Sequence, residues 1–217
     1  APRAEFVPGS LESLPFGDNT FDVVTCQLVL LHVADVARAL AEMRRVLRPG
    51  GVVLCCEPDN LAGKVATLGT NLGTTDQDLA AILGLLMGCQ AGKRALGEGD
   101  ARIGAHLPRL LAAAGFERVT THTNDTALQL IPPYDDPRME VGLHQEREWA
   151  EQGVTVLAWA RADALRHFQA AGGSAEEFEE RWAALERWRE AFLAAAAAGT
   201  FSAARGYVMY LVGGHKG

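Results

Sequence analysis

Six histidines, at 32, 106, 122, 144, 167 and 215, are the residues best suited to proton transfer near neutral pH. No two of them stand four apart and none has a cysteine at ligand spacing, so their pattern argues against a metal centre. The four cysteines, Cys26, Cys55, Cys56 and Cys89, form no C-x-x-C pair. Three of them lie in strand-like apolar runs, which reads as free thiols packed as small hydrophobes in a reducing cytoplasm. Gly92-Lys93 lacks the upstream glycine and the following hydroxyl of a phosphate loop, and Gly97-x-Gly99 followed by Gly104 is not a dinucleotide fingerprint. Neither a G-x-S-x-G elbow nor an H-E-x-x-H pair occurs. Nucleophilic hydrolysis, zinc proteolysis and nucleotide-phosphate cradling are thereby set aside.

The elements that must position such groups emerge from periodicity. Glu5 to Val7 is a short extended candidate before the Pro8-Gly9 turn. Phe21 to Gln27, FDVVTCQ, is nearly continuous in apolar character and predicts a strand buried on both faces. Asp35 stands at an N-cap position, and Val36, Leu40, Met43 and Leu47 share one helix face. Pro49 and Gly50-Gly51 close that helix, and Val52 to Cys56 is the next apolar strand. Strand, helix and strand in this order make a βαβ unit and a parallel sheet. Thr75 and Asp78 suggest a capping box before Leu79, Ile82, Leu83 and Leu86. Another helix centres on Leu107, Leu110, Leu111 and Ala114, with Pro108 in its first turn and Gly115 past its end. Phe116 to Thr123 and Tyr207 to Val212 read as strands. Between them the pattern turns helical, around Leu157 to Phe168 and again after the Ser174/Glu177 cap.

Length and composition set the frame. The 217 residues fit one domain with an elaboration, and a core of that size needs no disulfide or metal staple. Twenty basic against 27 acidic residues give a net charge of -7, which argues against nucleic acid as a partner. No apolar run reaches the roughly 20 residues of a membrane span, and no signal peptide is present, so the expected compartment is the cytoplasm. Arginine far outnumbers lysine, with abundant alanine and glycine, as in GC-rich bacterial coding sequences. The first residue is Ala1, so a trimmed or processed chain is expected.

The stretches GSLESLPFGDNTFDVV, LLHVADVARAL and AEMRRVLRPGGVVLCCEPD, from Gly9 to Asp59, resemble the small-molecule branch of the class I S-adenosylmethionine-dependent methyltransferases. GDARIGAHLPRLLAAAGFERV and YVMYLVGGHKG resemble that family's late helix and its last strand. The resemblance implies an α/β fold: a Rossmann-like methyltransferase sheet over 1–131 and 200–217, with 132–199 as a helical insertion before the last strand and a possible lid. It implies S-adenosylmethionine as cofactor, with Ser10 and Leu11 at the adenine and Cys26 and Gln27 under the methionine part. Ser10 stands where the family usually has Asp. His32 then lies on the acceptor side, with Tyr134 and His144 as candidate contacts for a small organic acceptor. Beside this, Asp22 reads as a loop tie, and His32 as a packing or helix-start residue before it reads as a base. The family's glycine-rich loop and ribose-gripping acid have no counterpart in residues 1–217, so the sheet is expected to be N-terminally incomplete. An incomplete sheet leaves a strand edge to cover, by re-pairing of residues 5–7 or by a homodimer. The alternative to an enzyme is a non-catalytic module for dimerisation or partner binding.

Overall fold

The computed structural model describes residues 4–125, 127–154 and 159–217. It divides into two compact units. The first draws on Ala1–Asp59, Gly99–Asn124 and Met209–Gly217; the second draws on Asn60–Glu98 and Asp125–Val208.

The first unit is an α/β sheet. Strands β1 (Phe21–Gln27) and β2 (Leu47–Pro58) pair in parallel through helix α1 (Val36–Val46), as the βαβ pattern requires. Asp35 caps α1, its carboxylate accepting from the Arg38 N–H at 2.9 Å. Leu47 falls on the strand rather than the helix, because Pro49 two residues on cannot enter a helix without disturbing it. The last strand, β6 (Met209–Lys216), runs antiparallel between β2 and β3 (Phe116–Thr123), giving the order β1-β2-β6-β3.

One face of this sheet carries the core. Leu40 and Met43 of α1 and Leu107 and Leu111 of α4 (Ile103–Ala113) pack on Val53, Cys55 and Val212. Pro108 is the sixth residue of α4 rather than part of its first turn, so the Gly104 carbonyl is left without the donor that an α-helix would supply. The other face presents Val23, Leu54 and Leu211, all exposed. β1 stands at the sheet edge and is 57% exposed at Val23, so the expectation of a strand buried on both faces is corrected. An apolar run shows that a strand tolerates burial, not that something is there to bury it. Glu5–Val7 does not form a strand and leaves Phe6 96% exposed.

The second unit is helical around a small ribbon. Helices α2 (Asn60–Leu68), α3 (Asp76–Ala95), α5 (Pro137–Glu151), α6 (Arg161–Ala170) and α7 (Ala175–Ala197) accompany strands β4 (Leu128–Leu130) and β5 (Ala203–Arg205). Its own core joins Ile82, Leu85, Phe168, Phe178, Leu185 and Phe192. The Ser174/Glu177 capping box is complete: Glu177 N–H donates to the Ser174 hydroxyl at 3.1 Å, and Ser174 N–H donates to the Glu177 carboxylate at 3.2 Å. At α3 only half a box forms, because Asp78 turns to Arg187. Part of the expected helix at 157–158 lies outside the described residues; α6 begins at Arg161. The stretch after Asp59 is α2 and the approach to α3. Among the described residues no helix is long and apolar enough to cross a membrane.

Candidate functional site at the carboxyl edge of the parallel strands

Parallel strands end on the same side, and open α/β sheets place ligands just beyond those carboxyl ends. Here Gln27 pairs with Cys56 at the end of β1, and β2 continues beyond it through Glu57 and Pro58. The chain turns sharply after β1. Leu28 adopts a positive φ of 55°, unusual for a residue with a side chain, and its N–H donates to the Cys56 carbonyl at 3.1 Å.

Glu57 anchors the segment after that turn. Its carboxylate is fully buried and accepts the N–H groups of Val29 at 2.9 Å, Leu30 at 3.0 Å and Leu31 at 3.3 Å. Those donors open a single 3₁₀ turn, Leu30–His32, whose last residue is exposed beyond the sheet edge. His32 is thus displayed by a loop pinned to the neighbouring strand. Gly99 seals the same loop: a Cβ there would lie 2.3 Å from the Leu31 carbonyl oxygen and 2.8 Å from the His32 Cα. Gly104 does likewise for β2, where a Cβ would lie 2.5 Å from the Glu57 carbonyl oxygen. Beside them Arg102 Nε is 3.8 Å from Asp59, and His106 Nδ1 is 3.3 Å from Asp100. This polar group was not singled out from the sequence; the only signal was its place just before the late helix.

Cys26 sits on β1 in register with Cys55 of β2. The hydrogen bond from Cys55 comes first, and burial second, in raising the Cys26 thiol far above the ordinary range; it stays protonated. Ser10 is exposed and its hydroxyl accepts the Glu12 N–H at 3.2 Å, within a tight turn closed by Ser13 N–H on the Ser10 carbonyl. Leu11 packs on the core of the sheet unit. Cys26, Gln27 and His32 gather at one edge, and Ser10 and Leu11 lie in the same unit. Tyr134 and His144 belong to the helical unit. The Tyr134 hydroxyl donates to the Phe201 carbonyl at 2.6 Å, a structural tie, and His144 is exposed on α5. Among the described residues no group of three His, Cys, Asp or Glu side chains could hold a metal ion.

A mixed α/β sheet with such an edge is common to several ligand-binding folds, and sequence comparison says what the segment is similar to. Residues 1–55 match the family model described as a methyltransferase domain. An uncharacterized methyltransferase of Schizosaccharomyces pombe is 51% identical over 63 residues, 29% of this chain and 23% of that protein. The demethylmenaquinone methyltransferase of Lysinibacillus sphaericus is 46% identical over 56 residues, 26% of this chain and 24% of the relative. The ubiquinone/menaquinone biosynthesis C-methyltransferase of Hahella chejuensis is 53% identical over 53 residues, 24% of this chain and 21% of the relative. The chain therefore spans about a quarter of the length of the curated relatives it matches. Over this segment, about a quarter of the chain, it is similar to methyltransferases.

Proposed function

We propose that the protein of which this chain is a part transfers a methyl group from S-adenosylmethionine to a small organic acceptor, and that the chain supplies one half of the cofactor pocket. The observation that carries this reading is the methyltransferase match over residues 1–55, which ends on the strands whose carboxyl edge presents Cys26, Gln27 and His32.

The residues present fit part of the cofactor. The free edge beyond Gln27 suits the methionine end, and the Ser10–Leu11 turn offers backbone groups and an apolar side chain for the adenine. The counterpart of a ribose-gripping acid and a glycine-rich loop is missing from residues 1–217. When bound, S-adenosylmethionine supplies an electrophilic methyl group. The chain's own work is positioning: Glu57 fixes residues 29–31, the fixed loop displays His32, and His32 accepts a proton where the acceptor carries one to lose. Tyr134 and His144 remain candidate acceptor contacts, and residues 132–199 a candidate lid, on the resemblance alone.

Calorimetric titration of the 217-residue chain with S-adenosylmethionine should give weak binding or none. Sub-micromolar affinity would overturn the half-pocket reading. In the longer protein, photo-crosslinking with the cofactor should label residues within 9–59; labelling confined elsewhere would overturn the site.

A second reading, a non-catalytic module, is favoured by one observation: β1 has β2 as its only described neighbour, beside exposed Val23, Leu54 and Leu211. Such an edge invites pairing with a second copy. Sedimentation decides it, with a homodimer expected and a soluble micromolar monomer refuting it.

A further inference from the structure

We propose that His106, held by Asp100, is a further proton-accepting residue of the candidate site, beside the His32 loop. The inference rests on the methyl-transfer reading for the molecule that gives up the proton. The imidazole and its carboxylate stand on the sheet unit alone.

The place follows from how α4 begins. Gly104 sets the first turn of α4 on the carboxyl end of β2, where a Cβ would meet the Glu57 and Pro58 carbonyl oxygens at 2.5 and 2.8 Å. Upstream, Gly99 lies against the Leu31 carbonyl and the His32 Cα. Asp100 is the next residue, so it enters at the same edge. One of its carboxylate oxygens accepts the Arg102 N–H at 2.9 Å, and its carbonyl accepts the Ile103 N–H at 3.2 Å. These bonds fix a carboxylate of which only 16% is exposed. Helical side chains lean toward the N-terminus of their helix. His106, near the start of α4, accordingly reaches back, and its Nδ1 lies 3.3 Å from the other Asp100 oxygen.

That orientation decides the chemistry. An ionised carboxylate only accepts, so the ring nitrogen that faces it carries the proton. Nε2 is then left bare, on a side chain that is 41% exposed. A neutral imidazole with one nitrogen held by a carboxylate and the other open to solvent is arranged to take a proton. His32 lacks such a partner: among the described residues no hydrogen bond, ion pair or ring contact fixes its side chain. His32 lines the edge, and His106 is the imidazole whose tautomer is set. When the acceptor molecule gives up its proton, the electron pair of the broken bond stays on the acceptor atom and the proton goes to Nε2. The positive charge that results faces the Asp100 carboxylate. Sequence gave no sign of this pair, because Asp100 and His106 meet only through the turn into α4.

Nitrogen NMR of the imidazoles in the full 217-residue chain, at mildly alkaline pH, reads the tautomer directly. His106 should carry its proton on Nδ1, whereas a free imidazole favours Nε2. Asp100→Ser keeps an acceptor for the Arg102 N–H but withdraws the carboxylate, and should return His106 to the Nε2–H form. A parent chain with the His106 proton on Nε2 overturns the proposal. Carbethoxylation, quantified peptide by peptide, reads whether Nε2 is open and nucleophilic. Labelling of His106 should slow several-fold in Asp100→Ser, while that of the exposed His122 and His144 holds. An unchanged His106 rate overturns the proposal. In the longer protein, His106→Gln should lower methyl transfer to a phenol probe by about 10²-fold or more and leave the calorimetric affinity for S-adenosylmethionine as it was. An unchanged transfer rate overturns the proton-accepting role. The first two measurements contain no methyl donor, so their failure is separate from failure of the methyl-transfer reading. A longer protein that methylates nothing counts against that reading alone.

Discussion

Val29, Leu30 and Leu31 present three consecutive backbone N–H groups to Glu57. Removing that carboxylate takes the acceptor from the buried donors of Leu30 and Leu31 and from the more exposed Val29, at about 1–3 kcal/mol for each buried donor not rescued by water. Glu57→Ala should therefore destabilise the sheet unit by roughly 3 kcal/mol or more in urea unfolding. Glu57→Gln, which keeps one acceptor and adds a donor facing N–H groups, should fall between. A change below the error of the measurement would mean that the loop does not need Glu57. The acid limb of stability has its own residues. Glu98 is lowered from 4.5 to about 2, first by Arg166 and then by His167. Glu42 is lowered from 4.5 to about 2, first by Arg45 and then by the Leu14 N–H. A carboxylate whose folded pKa is depressed contributes stability that is complete above the unfolded value and is lost as pH falls through the folded one. The loss should fall between pH 4.5 and 2, and Glu98→Gln and Glu42→Gln should each flatten the stability profile in that window. Profiles parallel to the parent's would refute the assignment.

Helices α3 and α6 meet at Gly92, where a Cβ would lie 1.6 Å from the His167 carbonyl oxygen. Backbone cannot yield as a side chain can, so Gly92→Ala must drive the two helices apart. It should lower the thermal midpoint by far more than Gly97→Ala, whose glycine has a positive φ of 71° but open space around it. Equal losses would show that α6 is free to shift. At the start of α7, Ser174→Ala should cost about 1 kcal/mol in chemical unfolding, since both halves of its box are made. These caps were legible in the sequence because capping is local: a hydroxyl or carboxylate needs only the next three residues. The α3/α6 approach was not, because Gly92 read as a failed phosphate loop and gave no sign of a helix 75 residues away. The ribbon of β4 and β5 escaped notice for the same reason, each strand being three residues long and paired at a distance.

At the scale of the chain, each unit has its own core, and the probes divide between them. All four tryptophans, 149, 159, 182 and 188, lie in the helical unit, whereas Cys26, Cys55 and Cys56 lie in the sheet unit. Tryptophan fluorescence and the protection of Cys26, Cys55 and Cys56, read peptide by peptide apart from Cys89 of the helical unit, therefore report separate cores. Glu57→Ala should shift the protection curve of Cys26, Cys55 and Cys56 to lower denaturant and leave the fluorescence midpoint in place; equal shifts would show one cooperative transition instead of two. The chain passes between units at 59–60, 98–99, 124–125 and 208–209. Two of these crossings lie near readable signals, the end of the apolar strand at Pro58 and the glycines at 97 and 99. The sequence drew 132–199 as the helical segment; the compact helical unit also contains 60–98, whose α3 supplies much of its core.

Sequence alone determined the βαβ unit, the caps of α1 and α7, the glycine exit of α4 and the likeness of residues 9–59 to methyltransferases. Each of these is written in neighbouring residues, as periodicity, a cap or a contiguous motif. Tertiary structure decided the rest. It set the order of β6 between β2 and β3, the place of β1 at the end of the described sheet with Val23 exposed, and the burial of Glu57 under three donors. It also joined Glu146 and Arg205, which are separated by 59 residues in the chain. Such facts depend on which surfaces meet once the chain has closed on itself, and no local pattern of side chains records that.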